Sequence, residues 1–83
     1  MNKSIVTTII NNWDPIDLLP YAPQDEYHVE IDLIVKLMDG IKDINELAVG
    51  IYNIFIKEFG GDVFTESLDQ CTDVAKKILH GEN

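Results

Sequence analysis

Eighty-three residues, 46% of them apolar, suffice for one small domain and are too apolar for a disordered tail. Fifteen Asp and Glu stand against six Lys and no Arg, a net charge of −9 that repels phosphate backbones and anionic membranes. Nucleic acid and membrane surfaces are therefore disfavoured as partners. A lone cysteine allows no intrachain disulfide, and the expectation is a soluble, cytoplasmic protein.

In chain order, Ile5, Val6, Ile9, Ile10 and Trp13 recur at helical spacing and predict a first helix over residues 3–13, with Asn11-Asn12 fraying or ending it. Asp14-Pro15 has the form of a fresh start, Asp as N-cap and Pro at the first helical position. The turn so begun runs over 15–19 and stops before Pro20. A second helix is expected over about 24–39, with Tyr27, Ile31, Ile34 and Met38 on one stripe and Gly40 as its stop. Asp25 and Glu26 sit in its first turn, where the helix dipole favours negative charge.

Asp43 caps the third helix, and Glu46 three residues on resembles a capping box. Ile44, Leu47, Ala48, Ile51, Ile54 and Phe55 form its buried face. Val49, Tyr52, Ile56 and Phe59 make it apolar nearly all round, so it is the central helix or it also meets a partner. Gly60-Gly61 ends it, and a fourth helix follows over about 65–80 with Leu68, Cys71, Val74, Ala75, Ile78 and Leu79 inward. The fold class expected is all-α: one helical domain over 1–83, a compact four-helix bundle with an extra short helical turn between helices 1 and 2.

Chemistry is sparse. Asp25, His28 and Asp32 share one side of the second helix, but that side should face solvent, where such groups stay hydrated. Ser67-Leu68-Asp69 invites comparison with the acyl carrier proteins, but that fold needs two further helices after its serine and only sixteen residues remain. Cys71 lies on an apolar stripe, where a thiol is inert. Gly60-Gly61 follows a helix and lacks the Lys-Ser/Thr of a phosphate-binding loop. The expectation is no enzyme: no catalytic residue, no cofactor and no metal.

Residues 13–32 differ. They hold six acids, interleaved aromatics and no Lys or Arg. Rigid anchors beside uncompensated carboxylates are what a surface for a basic protein needs. The candidate partner-binding residues are Trp13, Asp14, Asp17, Tyr21, Asp25, Glu26, Tyr27 and Glu30. The plainer reading is architectural: Trp13 fills the core, Asp14 caps, and Asp25-Glu26 suit the helix dipole.

The string Trp13-Asp14-Pro15-Ile16, then Ala22-Pro23-Gln24-Asp25-Glu26-Tyr27 and Glu30-Ile31, resembles the YugE-like family of small, acidic, helical bacterial proteins of unknown function. The resemblance covers about residues 12–31 and implies no activity. Two hypotheses follow. One is a protein-binding module, such as an immunity or antitoxin-type inhibitor of a basic partner, held by charge steering and aromatic anchors. The other is a structural protein that self-associates, burying the surplus apolar surface of the third helix in a homodimer.

Overall fold

The computed structural model of the protein describes residues 3–16, 27–41 and 43–80. Within them four helices follow one another: α1 Lys3–Trp13, α2 His28–Met38, α3 Ile44–Phe59 and α4 Leu68–His80. There is no strand among the described residues. Each helix packs on its neighbour in the chain, and α4 closes the ring onto α1. The result is an all-α four-helix bundle, the arrangement in which amphipathic helices bury one apolar stripe apiece. No described helix is long and apolar enough to cross a membrane.

The core is built from the stripes that periodicity predicts. Val6 and Ile10 enter from α1; Ile31, Ile34 and Met38 from α2; Leu47, Ala48, Ile51 and Phe55 from α3; Cys71, Val74, Ala75 and Ile78 from α4. At α3 the start is as expected, for the Asp43 carboxylate accepts the Glu46 backbone N–H at 3.0 Å and acts as the N-cap.

The other boundaries depart from expectation. Asn11 and Asn12 do not end α1, which continues to Trp13. Asp14 ends it instead. Its φ is 45°, and its N–H donates to the Ile10 carbonyl at 2.8 Å. This is the left-handed C-terminal motif, which satisfies a carbonyl the helix would leave open. The N-cap role expected of Asp14 is thereby corrected, since an N-cap takes extended backbone. Of the short turn expected over 15–19, Pro15 and Ile16 are in a turn, and the rest lies outside the described residues. Gln24, Asp25 and Glu26, expected to begin the second helix, also lie outside them, and α2 starts at His28.

Helix α4 begins three residues later than the spacing predicts. The Ser67 hydroxyl accepts the Gln70 N–H at 3.2 Å, and the Gln70 side-chain carbonyl accepts the Ser67 N–H at 3.3 Å. This reciprocal capping box sets the boundary. Leu68, expected inward, is consequently 46% exposed at the first helical position.

The end of the bundle where α1 terminates is aromatic. Phe55 stacks on Phe59 and Phe64 at centroid separations of 5.9 and 5.2 Å. It takes the edges of Trp13 and Tyr27 at 5.6 and 6.1 Å. Phe64 comes from the α3–α4 connection, yet it is as buried as any helical core residue. Gly60 turns the chain back with a φ of 85°, and the Phe64 N–H closes onto the Gly60 carbonyl at 2.9 Å. A side chain at that φ would be strained, so glycine is the residue this reversal requires.

Candidate functional site

The acidic, aromatic segment was the first candidate, and much of what is described of it faces inward. Tyr27 has no exposed surface, and Glu30 is 4% exposed. The Tyr27 hydroxyl donates to the Asp14 carboxylate at 2.5 Å and accepts the Ile16 N–H at 3.1 Å. Trp13 is half-buried and sets its ring edge-on against Phe55 and Phe64. These contacts tie the end of α1 to the start of α2 and to α3. Trp13, Asp14 and Tyr27 thus meet one another through the core, and Tyr27 and Glu30 have almost no surface for a partner. The left-handed turn at Asp14 ends α1 where its carboxylate meets the hydroxyl of Tyr27, thirteen residues on. Glu30 occupies the first turn of α2, where the dipole favours a carboxylate. Asp17, Tyr21, Asp25 and Glu26 lie outside the described residues.

Three of the described side chains singled out for chemistry are occupied or buried. Cys71 is fully buried, and burial, with a smaller contribution from Glu66, pushes its thiol up to about 11. Asp32 is exposed and engages Lys3 at 2.6 Å; that hydrogen bond holds its carboxyl below the ordinary carboxylate value. The Ser67 hydroxyl is committed to the α4 cap. Among the described residues no group of three or more His, Cys, Asp or Glu is placed to hold a metal ion.

What spacing did not reveal is a face between α2 and α3. Two shallow grooves adjoin there, of about 440 and 490 Å³. One is lined by Ile41, Asn45, Glu46, Val49, Gly50 and Asn53. The other is lined by Leu33, Lys36, Leu37, Gly50, Asn53 and Ile54. Gly50 and Asn53 belong to both. Gly50 forms the shared floor because the helices approach closely there; a Cβ at Gly50 would collide with Leu37 Cδ2.

Of the exposed large apolar side chains among the described residues, Leu33 and Val49 line these grooves and Val29 lies on α2, whereas Val63 and Leu68 belong to the α3–α4 end. Val49 is 46% exposed, and Val29 and Leu33 of α2 are 43% and 37% exposed. Val29, Leu33 and Leu37 are spaced i, i+4 and i+8, which lays them along one ridge of α2. The all-round apolar character expected of the third helix resolves differently. Tyr52, Ile56 and Phe59 pack partly buried against the core, and Val49 stays out. The surface predicted on one helix is shared by two. Val29 and Leu33 could have been noticed in the sequence as a second apolar spacing on α2, beside the stripe through Tyr27.

The family model described as "Domain of unknown function (DUF1871)" matches residues 5–82. No curated protein and no solved structure matches the chain.

Proposed function

The chain belongs to the DUF1871 family of unknown function, and we propose that it is a non-enzymatic, acidic protein-interaction module whose docking surface is the α2–α3 face. One observation carries the reading: two adjoining grooves floored by Gly50, with Val49 and Leu33 exposed at their edges. Apolar side chains gathered in one concave region of a small, highly charged surface mark an interaction site more readily than the same residues scattered. The absence of a catalytic role is part of the proposal. It is supported by the buried, protonated Cys71 and by the capping duty of Ser67.

The test compares the wild-type chain with a Leu33→Glu/Val49→Glu variant as bait in an extract of the producing cells. Both sites are exposed, so the variant should melt within a few degrees of wild type. The expected result is a protein retained by the wild-type chain and lost by the variant. Identical capture by both refutes the docking surface, and so does capture by neither when the chain is also monomeric.

The net charge of −9 favours a second reading, an immunity or antitoxin-type inhibitor of a basic partner. It rests on the surplus of acids in the sequence, with Asp17, Asp25 and Glu26 as its residues. Its signature is binding whose association rate falls steeply with added salt, as a screened long-range attraction must. Charge reversal at Asp25 and Glu26 should slow association and leave the fold intact. A salt-independent association rate sinks this reading.

A further inference from the structure

Granting that the α2–α3 face is a docking surface, we propose that its occupant is a second copy of this chain, in a two-fold dimer that sets Lys36 of each copy against Glu46 of the other. Three observations combine. The two grooves are nearly equal in volume and share Gly50 and Asn53. One carries a single cation, Lys36, and the other a single carboxylate, Glu46. All remaining lining residues are aliphatic, glycine or asparagine.

A two-fold interface places the same patch on both copies, so it must be complementary to itself. An axis lying in the interface and passing over Gly50 and Asn53 exchanges the two grooves. Each copy's Lys36 groove then covers the other's Glu46 groove, and two opposite-charge contacts form at once. Asn53 meets its own counterpart beside the axis, where an amide can both donate and accept.

Charge also discriminates between occupants. The chain carries −9, yet this face is balanced at one positive and one negative charge. A basic partner would gain nothing from a neutral patch and would be drawn to the acidic surface elsewhere. A like-charged partner needs a patch free of net charge, because a face with surplus carboxylates would repel its own copy. A second copy is the like-charged partner whose cation meets a carboxylate twice over.

Charge swapping tests both the dimer and its register. Sedimentation equilibrium at about 10–500 µM covers the range in which a small interface associates. The wild-type mass should double across that range. Lys36→Glu and Glu46→Lys should each weaken the dimer about tenfold or more, since each places two like-charge pairs across the axis. An equimolar mixture of the two single variants should recover the wild-type affinity as a heterodimer. So should the Lys36→Glu/Glu46→Lys double variant alone. Thermal melts of each variant check the fold: Lys36 and Glu46 are exposed, and the Asp43 cap uses the Glu46 backbone rather than its side chain.

A wild-type chain that remains monomeric throughout overturns the proposal. A dimer that the single variants leave unchanged, or that the mixture does not restore, overturns it as well. Failure of the dimer is distinguishable from failure of the docking surface. Face-dependent capture of another protein by a monomeric chain would keep the surface and reject the second copy as its occupant.

Discussion

Replacing Tyr27 with Phe isolates the junction that joins α1 to α2. The hydroxyl is removed and the ring keeps its edge contacts with Phe55 and Phe59. Two hydrogen bonds go with it, the donation to Asp14 at 2.5 Å and the acceptance from Ile16 N–H at 3.1 Å. A bond to a carboxylate contributes about 1.5–3 kcal/mol, and a part-buried amide that loses its acceptor adds roughly 0.5–1 kcal/mol. Tyr27→Phe should therefore destabilise by about 2–4 kcal/mol, a large share of the stability of so small a domain. At about 4–8 °C per kcal/mol, the melting temperature falls by about 8 °C or more.

The acceptor's backbone supplies the internal control. Asp14 sits at a φ of 45°, which glycine adopts freely and Asn tolerates, and which costs Ala about 1–2 kcal/mol. Asp14→Asn keeps an acceptor and should cost least. Asp14→Gly loses the acceptor and relaxes the backbone, and Asp14→Ala loses the acceptor and adds strain. The order of destabilisation is Ala, then Gly, then Asn. Urea unfolding followed by Trp13 fluorescence and by circular dichroism measures it, because Trp13 packs beside the junction. In the cycle of Tyr27→Phe with Asp14→Gly, the coupling should exceed about 1 kcal/mol. A Tyr27→Phe cost below about 0.5 kcal/mol, or additivity in that cycle, would refute the assignment of this hydroxyl as a structural tie.

The remaining predictions concern the α3–α4 end and the thiol. Phe64→Ala should cost about 3–5 kcal/mol, as a helical core phenylalanine would, although the residue lies in a connection; a cost near about 1 kcal/mol in denaturant melts would show that the aromatic cluster closes without it. Ser67→Ala should lose about 1 kcal/mol by opening the α4 capping box, whereas Ser67→Thr keeps a capping hydroxyl and should retain most of it; an unchanged denaturation midpoint in Ser67→Ala counts against the cap. Cys71 makes stability fall with rising pH. Below about pH 9 both states hold the thiol proton, but above it the unfolded chain releases it while the folded chain holds it to about 11. Stability that is full below about pH 9 should thus decline by roughly 1–2 kcal/mol toward about pH 11, after allowance for solvent screening. Cys71→Ala should remove that part of the slope, and equal slopes in the two chains contradict the assignment.

The bundle was legible because amphipathic periodicity is local. A helix with apolar side chains every three to four residues has one way to bury them, and Ile31, Ile34, Leu47, Ile51, Val74 and Ile78 follow that rule without reference to the rest of the chain. Asp43 could be placed for the same reason, since an N-cap is settled within four residues. Ser67-x-x-Gln70 carries a signal of the same kind, and its reciprocal bonds rather than periodicity decide where α4 begins.

Residues whose roles depend on distant partners were not legible. Asp14 resembled a helix start because Asp-Pro is favourable there, but a tyrosine thirteen residues on claims its carboxylate and a left-handed turn ends α1. Phe64 gave no periodic signal, since only the reversal at Gly60 returns it to Phe55. The family likeness over a short stretch pointed to proteins of unknown function; the model that matches, over 5–82, is that of a domain of unknown function and adds no activity. Composition and spacing therefore established helices, charge and core stripes, all properties of residues near one another in the chain. Helix packing alone decided that the acid–aromatic segment's described members turn largely inward and that α2 and α3 meet at Gly50 to leave an apolar face, because burial is a property of what lies across the fold.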